Sequence, residues 1–79
     1  MKIHELKILP QYYNDVKEGK KKFELRKDDR NYQEGDLVVL KEFDGTNYTG
    51  RSINFKPIKY VLRDCPEYGL KEGFCIIGF

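Results

Sequence analysis

The chain alternates apolar and polar residues with two different periods, and the changes of period mark its elements. Residues 2–9 repeat at every second position, with His4, Leu6 and Ile8 on one side and Ile3, Glu5, Lys7 and Leu9 on the other. That pattern predicts a strand. Pro10 suits the first turn of a helix, where its missing N–H costs nothing. Tyr12 and Val16 stand four apart, with Tyr13 beside them, and predict one apolar stripe along a short helix. Gly19 sits where a left-handed C-terminal cap belongs. A helix of about two turns persists only when tertiary packing holds it.

A period of two resumes in KFELRK, residues 22–27. Phe23 and Leu25 share one face, expected to be the inner one, while Lys22, Glu24 and Arg26 share the other. The polar run Asp28–Gln33 turns the chain, and Gly35 serves a tight turn in EGD. LVVLKEF follows as a strand whose Leu37–Leu40 run predicts burial on both faces. DGTNYTG, residues 44–50, reads as a hairpin loop. Beyond it the apolar parity switches, because Ile53 and Phe55 are odd whereas Ile58, Tyr60 and Leu62 are even. A bulge or corner near Lys56-Pro57 would account for the switch. CPEYGLKEG is a second loop, and GFCIIGF is a last strand, apolar enough to be central or closing.

This order of strand, helix and further hairpin-linked strands predicts an α+β domain. Its simplest form is a curled antiparallel sheet or small open β-barrel of about five to six strands with one short helix. Strand order is not set by the pattern. With 79 residues the chain holds one domain, 1–79, whose small core leans on five Phe and six Tyr. No apolar run approaches the ~20 residues of a membrane span, and the first residues alternate where a leader would be continuously apolar. A soluble, cytoplasmic protein without a membrane partner is the expectation.

Cys65 and Cys75 lack the paired spacing of a zinc site, and the single histidine does not complete one. No metal or organic cofactor is indicated; two reduced thiols are the simpler reading, and a disulfide stays open. Net charge is only +2, but its distribution is uneven. Residues 17–30 carry seven Lys or Arg against four Asp or Glu, a local net of +3, and the remainder is slightly acidic. A steering patch on an otherwise neutral surface has this form.

Within that patch Lys21, Glu24 and Arg26 form a candidate site. Glu24 and Arg26 project from one strand face, ~7 Å apart along the backbone, and Lys21 lies just before the strand. Arg26 can pair bidentately with phosphate, and Glu24 can accept from the amino edge of a base. A desolvated Lys21 can act as base or nucleophile, with Glu24 beside it. Against this stands a solvated strand face that binds nothing. Arg30 with Asp29 either ties down a loop or touches a ligand. His4 shares its side with Leu6 and Ile8, which favours a core-edge histidine over a ligand contact, and Lys7 is a further phosphate candidate of opposite parity. Tyr12 and Tyr13 pack or offer a stacking face.

Gly19-x-Lys21-x-x-Glu24-x-Arg26 resembles the GxKxxExR signature of ASCH domains in the PUA-like superfamily. The likeness extends to a small bacterial and phage subgroup of that family. His4-Glu5-Leu6-Lys7 matches its HELK, Pro10-Gln11-Tyr12-Tyr13 its PxYF, and the segment from Lys27 to Asp36 its KxDRxYxxGD. The resemblance implies a PUA-like pseudo-barrel with a cleft beside the helix, lined by the signature residues and taking RNA or a modified nucleotide. Some small relatives are amidohydrolases that deacetylate acetylated cytidine nucleosides through the signature lysine. Glu24 stands where those relatives carry a hydroxyl residue, and their later carboxylate has no clear counterpart in this chain.

Three functions follow as expectations. The first is a binding module for RNA or a modified nucleotide, using Lys21, Glu24 and Arg26 with Arg30, Lys7 and His4 nearby. The second is a small hydrolase of acylated or otherwise modified nucleosides, with Lys21 and Glu24 catalytic. The third is an accessory protein whose ligand is another protein.

Overall fold

In the computed structural model, which describes residues 1–79, strict alternation becomes strand β1, Ile3–Ile8, with His4, Leu6 and Ile8 buried. Pro10 opens helix α1, Pro10–Lys17. The helix closes in a Schellman motif: Lys20 N–H reaches Asp15 O at 2.9 Å and Gly19 N–H reaches Val16 O at 3.0 Å, with Gly19 at φ +79°. Its buried stripe is Tyr13 and Val16, three apart. Tyr12, expected in that stripe, is exposed instead, its ring lying beside the Lys21 ammonium.

The remaining strands are β2 (Phe23–Lys27), β3 (Leu37–Phe43), β4 (Tyr48–Pro57), β5 (Tyr60–Leu62) and β6 (Phe74–Gly78), with a 3₁₀ turn at Pro66–Tyr68. They form two three-stranded sheets, ordered β1-β3-β4 and β2-β6-β5. A curled antiparallel sheet or open barrel was the simplest expectation; β1 instead runs parallel to β3, with α1 and β2 carrying the chain back before β3 begins. The result is a small, mostly β fold with one helix. Buried side chains from both sheets and the helix, among them Leu6, Val16, Leu40 and Ile77, share one core.

The irregularity expected near Lys56-Pro57 is present, but beyond it only Ile58 is buried; Tyr60 and Leu62 face outward and Val61 packs against the core. Between Val38/Lys56 and Leu40/Ile53, two steps on β3 face three on β4, so β4 carries a bulge. Phe55 sits in it at φ +59°. The strand then ends at Pro57, and the chain crosses to the second sheet before Tyr60. The expected hairpin loop is shorter than predicted: Tyr48–Gly50 belong to β4, and Asp44 alone organises the turn by accepting from Thr46 and Asn47 N–H. β6 is the central strand of its sheet, as its apolar sequence suggested.

One expectation reverses. Phe23 and Leu25 are 47% and 57% exposed, whereas Glu24 is 6% exposed and Arg26 half-buried. The period of two grouped these residues correctly but β2 is turned with its charged face inward. An ion pair inside the fold satisfies Glu24, and the apolar face looks outward.

Candidate functional site

The Schellman turn delivers the chain from α1 into β2, and Lys21 N–H also bonds to Asp15 O at 3.1 Å. This places the Lys21 side chain across the start of β2, where its Nζ donates to Glu24 Oε1. The pair is largely withdrawn from solvent, with 16% and 8% of the two side chains exposed. Lys21 Nζ also stands 4.9 Å from the Tyr12 ring centre and 5.1 Å from that of Phe23. These residues, with Leu25, line a cleft of about 390 Å³.

The cleft follows the open edge of β2. Lys22 O accepts from Phe79 N–H at 2.9 Å and Asp28 N–H donates to Gly73 O at 2.9 Å, so even positions turn toward β6. The backbone groups of Phe23 and Leu25 therefore face outward along the cleft, free of any strand partner.

Arg26 shares the inward face with Glu24 but reaches elsewhere: its Nη1 donates to Lys7 O at 3.0 Å. Arg30 Nη1 donates to Glu5 O at 2.6 Å. Both carbonyls lie on the open edge of β1, since Lys2 O already turns inward to Leu37 N–H. The two arginines thus cap an edge strand and tie the segment 26–30 to β1. Asp29 adds to the charge around the buried Tyr32. Lys7 lies on the outer side of β1, its Nζ 4.5 Å from the Phe43 ring centre. Of the residues singled out in sequence, Lys21 and Glu24 meet in the cleft, while Arg26, Arg30, Lys7 and His4 lie outside its lining.

His4 is in the core. Its Nε2 donates to Asp36 Oδ2 at 2.9 Å, and its ring meets Tyr32 edge-on with centroids 4.7 Å apart. Asp36 also accepts from Lys2 N–H at 3.0 Å and Gln33 N–H at 3.1 Å. These donors, His4 first, lower the Asp36 carboxyl to about 2. Burial raises the Tyr32 phenol, against the opposing charges of Arg26 and Arg30. The HELK and DRxYxxGD segments thus meet as one buried polar cluster. Asp28 extends it by pairing bidentately with Arg63 at 2.6 and 3.1 Å, and Arg63 donates on to Tyr32 O at 3.0 Å.

A second charged centre was not read from the sequence. Glu42 is 2% exposed and accepts two bonds from Arg51, at 2.9 and 2.7 Å, plus one from Thr49. These bonds, Arg51 first, lower its carboxyl below the usual range. Arg51 also lies over the Tyr13 ring at 4.5 Å, which ties the β3–β4 hairpin to α1. The signal was parity: Glu42 continues the even positions of Val38 and Leu40. Cys65 and Cys75 are free thiols, Cys75 buried and its thiol raised chiefly by burial. No group of three His, Cys, Asp or Glu stands in position to hold a metal. No helix is long and apolar enough to cross a membrane.

The chain belongs to the family described as "Domain of unknown function (DUF3850)", whose model matches residues 3–79. It is also similar to the "Uncharacterized 12.9 kDa protein in GpA 3'region" of Escherichia phage P2, 48% identical over 52 residues. That match covers 66% of this chain and 48% of the phage protein, so it spans about half the relative's length.

Proposed function

We propose that this domain binds a nucleotide, free or within RNA, in the cleft over the Lys21–Glu24 pair. One observation carries the reading: a nearly buried ion pair lies at the floor of an open cleft beside two aromatic rings. Desolvating two charges offsets most of what their attraction returns, so such a pair is weak as a stabilising device. It is effective as a recognition device. Glu24 can accept from the amino group of a base, Lys21 can donate to a carbonyl or phosphate oxygen, and the Tyr12 and Phe23 rings can stack. The open backbone of Phe23 and Leu25 adds donors and acceptors along the same wall. The likeness of the 19–26 segment to the ASCH signature supports this assignment, and a PUA-like barrel is part of the reading. Arg26 and Arg30 hold the β1 edge in it.

The test is calorimetric titration of cytidine monophosphate and of N-acetylcytidine against wild type, Lys21→Ala and Glu24→Gln, with circular dichroism to verify folding. Lys21→Ala should weaken binding by about tenfold or more, the usual worth of a charge-assisted hydrogen bond. Glu24→Gln should shift preference between the two ligands. Folded variants that bind as wild type does would remove the cleft from consideration. Release of acetate from N-acetylcytidine, followed chromatographically, would convert the binding module into the hydrolase that uses the same two residues.

A further inference from the structure

The outward turn of β2 leaves a whole sheet face uncovered. Residues directly opposite in an antiparallel ladder share a face. Phe23, Gly78 and Tyr60 therefore form one outward row across β2, β6 and β5, and Leu25, Ile76 and Leu62 form the next. Lys27 and Phe74 begin a third. Phe23, Leu25, Tyr60 and Leu62 are 47%, 57%, 59% and 38% exposed.

The first row has the spacing of a slot. Phe23 and Tyr60 flank Gly78, so their Cα atoms are two strand spacings apart, about 9.6 Å. A flat ring held between two others needs about 7–8 Å between the outer planes, two stacking separations of about 3.5–4 Å each. Gly78 leaves the floor open. Lys21 occupies one face of the Phe23 ring, and a ring has two.

At the end of the same three strands lies a neighbouring cleft of about 210 Å³, sharing Lys21 with the first, whose charged lining is four lysines, Lys21, Lys22, Lys56 and Lys59, and no acid. Lys22 and Lys59 are the chain neighbours of Phe23 and Tyr60. Alternation turns their side chains around the sheet end, away from the slot. A strand whose base occupies the slot reaches these lysines by passing over that end.

We propose that the outer face of the second sheet is a single-stranded RNA-binding platform, with a base stacked between Phe23 and Tyr60 above Gly78 and its backbone phosphate over the lysine cleft. Charge selects this occupant. A polyanion complements the four lysines, whereas a second copy of this chain offers no carboxylate among the outward positions of the three strands to pair with them. Aromatic rings stack on any base, so the platform is tolerant of sequence. The inference shares its ligand class, Lys21 and one face of Phe23 with the nucleotide reading above, but Tyr60, Gly78 and Lys59 belong to the platform alone.

The test is fluorescence anisotropy with a labelled octauridylate. Gly78 does not have a positive φ, and a Cβ there would meet its neighbours at 3.8–4.0 Å, ordinary contact, so Gly78→Val fills the slot at little cost to the fold. Gly78→Val and Tyr60→Ala should each weaken octauridylate binding about fivefold or more, as loss of one stacked base does. Melting temperature and cytidine monophosphate binding should stay unchanged. Lys59→Gln should flatten the dependence of log affinity on log salt by about 0.7. Should Gly78→Val fail to fold, Tyr60→Ala decides alone, its ring being exposed. Wild-type protein that ignores octauridylate, or variants that bind it equally well, overturn the proposal. So does a wild-type dimer that Gly78→Val converts to monomer without changing RNA affinity. Octauridylate binding without mononucleotide binding would sink the cleft assignment and leave the platform standing.

Discussion

The orientation of β2 decides whether Glu24 lies inside the fold, and it can be tested by comparing truncations on the two faces of one sheet. Ile77 is fully buried in the central strand β6, in register with Glu24. Ile77→Ala empties a site closed on all sides and should cost about 3–4 kcal/mol, within the range of ~2–5 for such changes. A fully buried Phe→Ala change costs about 3–5 kcal/mol. Phe23 keeps 47% of its surface exposed, and its removal leaves an open dent that water fills. Scaling by burial and dropping the cavity contribution gives about 1–2 kcal/mol. Leu25, at 57% exposed, should cost about 1 kcal/mol. A chain of this length has a total stability of roughly 4–12 kcal/mol, so the contrast is large. Near the melting point each kcal/mol corresponds to about 4–8 °C in a domain of this size. Urea titrations followed by circular dichroism measure all three variants, with equal m-values showing that the comparison is of like transitions. If Phe23→Ala or Leu25→Ala costs as much as Ile77→Ala, the strand is turned over, Glu24 faces solvent and the cleft argument collapses.

Two further outcomes follow from the polar clusters and the helix cap. The Asp36 carboxyl is lowered to about 2 from 3.8, so its stabilising contribution is complete above pH 3.8 and is lost as pH falls through about 2. Between pH 4 and 2 the wild-type urea midpoint should fall, while Asp36→Asn should start lower and fall less; parallel curves would assign the acid response to other groups. Gly19 holds φ +79° with open space where a Cβ would stand, so Gly19→Ala should cost about 1–2 kcal/mol from backbone conformation alone. Lys20→Ala beside it should cost close to nothing in the same melt, and equal losses at both positions would mean that the Schellman turn is not the cap.

Much of the fold was legible because side-chain alternation is a local property of the backbone. The burial of His4, Leu6 and Ile8, the Pro10 start and Gly19 stop of the helix, and the continuous burial of Val38–Leu40 after a half-buried Leu37 all follow from residues within one element. The irregularity before Tyr60 was legible for the same reason, but the inward face beyond it was not, since Val61 and not Tyr60 or Leu62 packs against the core. The candidate site was legible in part. Spacing grouped Lys21 with Glu24, and those two do meet. It also grouped Arg26 with them, and there the sequence had no way to show that a carbonyl of β1, nineteen residues earlier, would take the guanidinium.

By itself, then, the sequence determined which residues share a face, where elements begin and end, and where the positive charge gathers. Only the tertiary structure decided which face is inside. Alternation is symmetric under turning a strand over, and the choice depends on partners far along the chain. For β2 those partners are Lys21, held by the helix cap, and the β6 strand fifty residues on, which together let a charged row face inward. The parallel β1–β3 pairing, the His4–Asp36–Tyr32 cluster and the Glu42–Arg51 pair belong to the same class. Each joins residues whose local patterns carry no record of one another, and each exists because a buried charge or backbone group must find a partner that folding brings within about 3 Å.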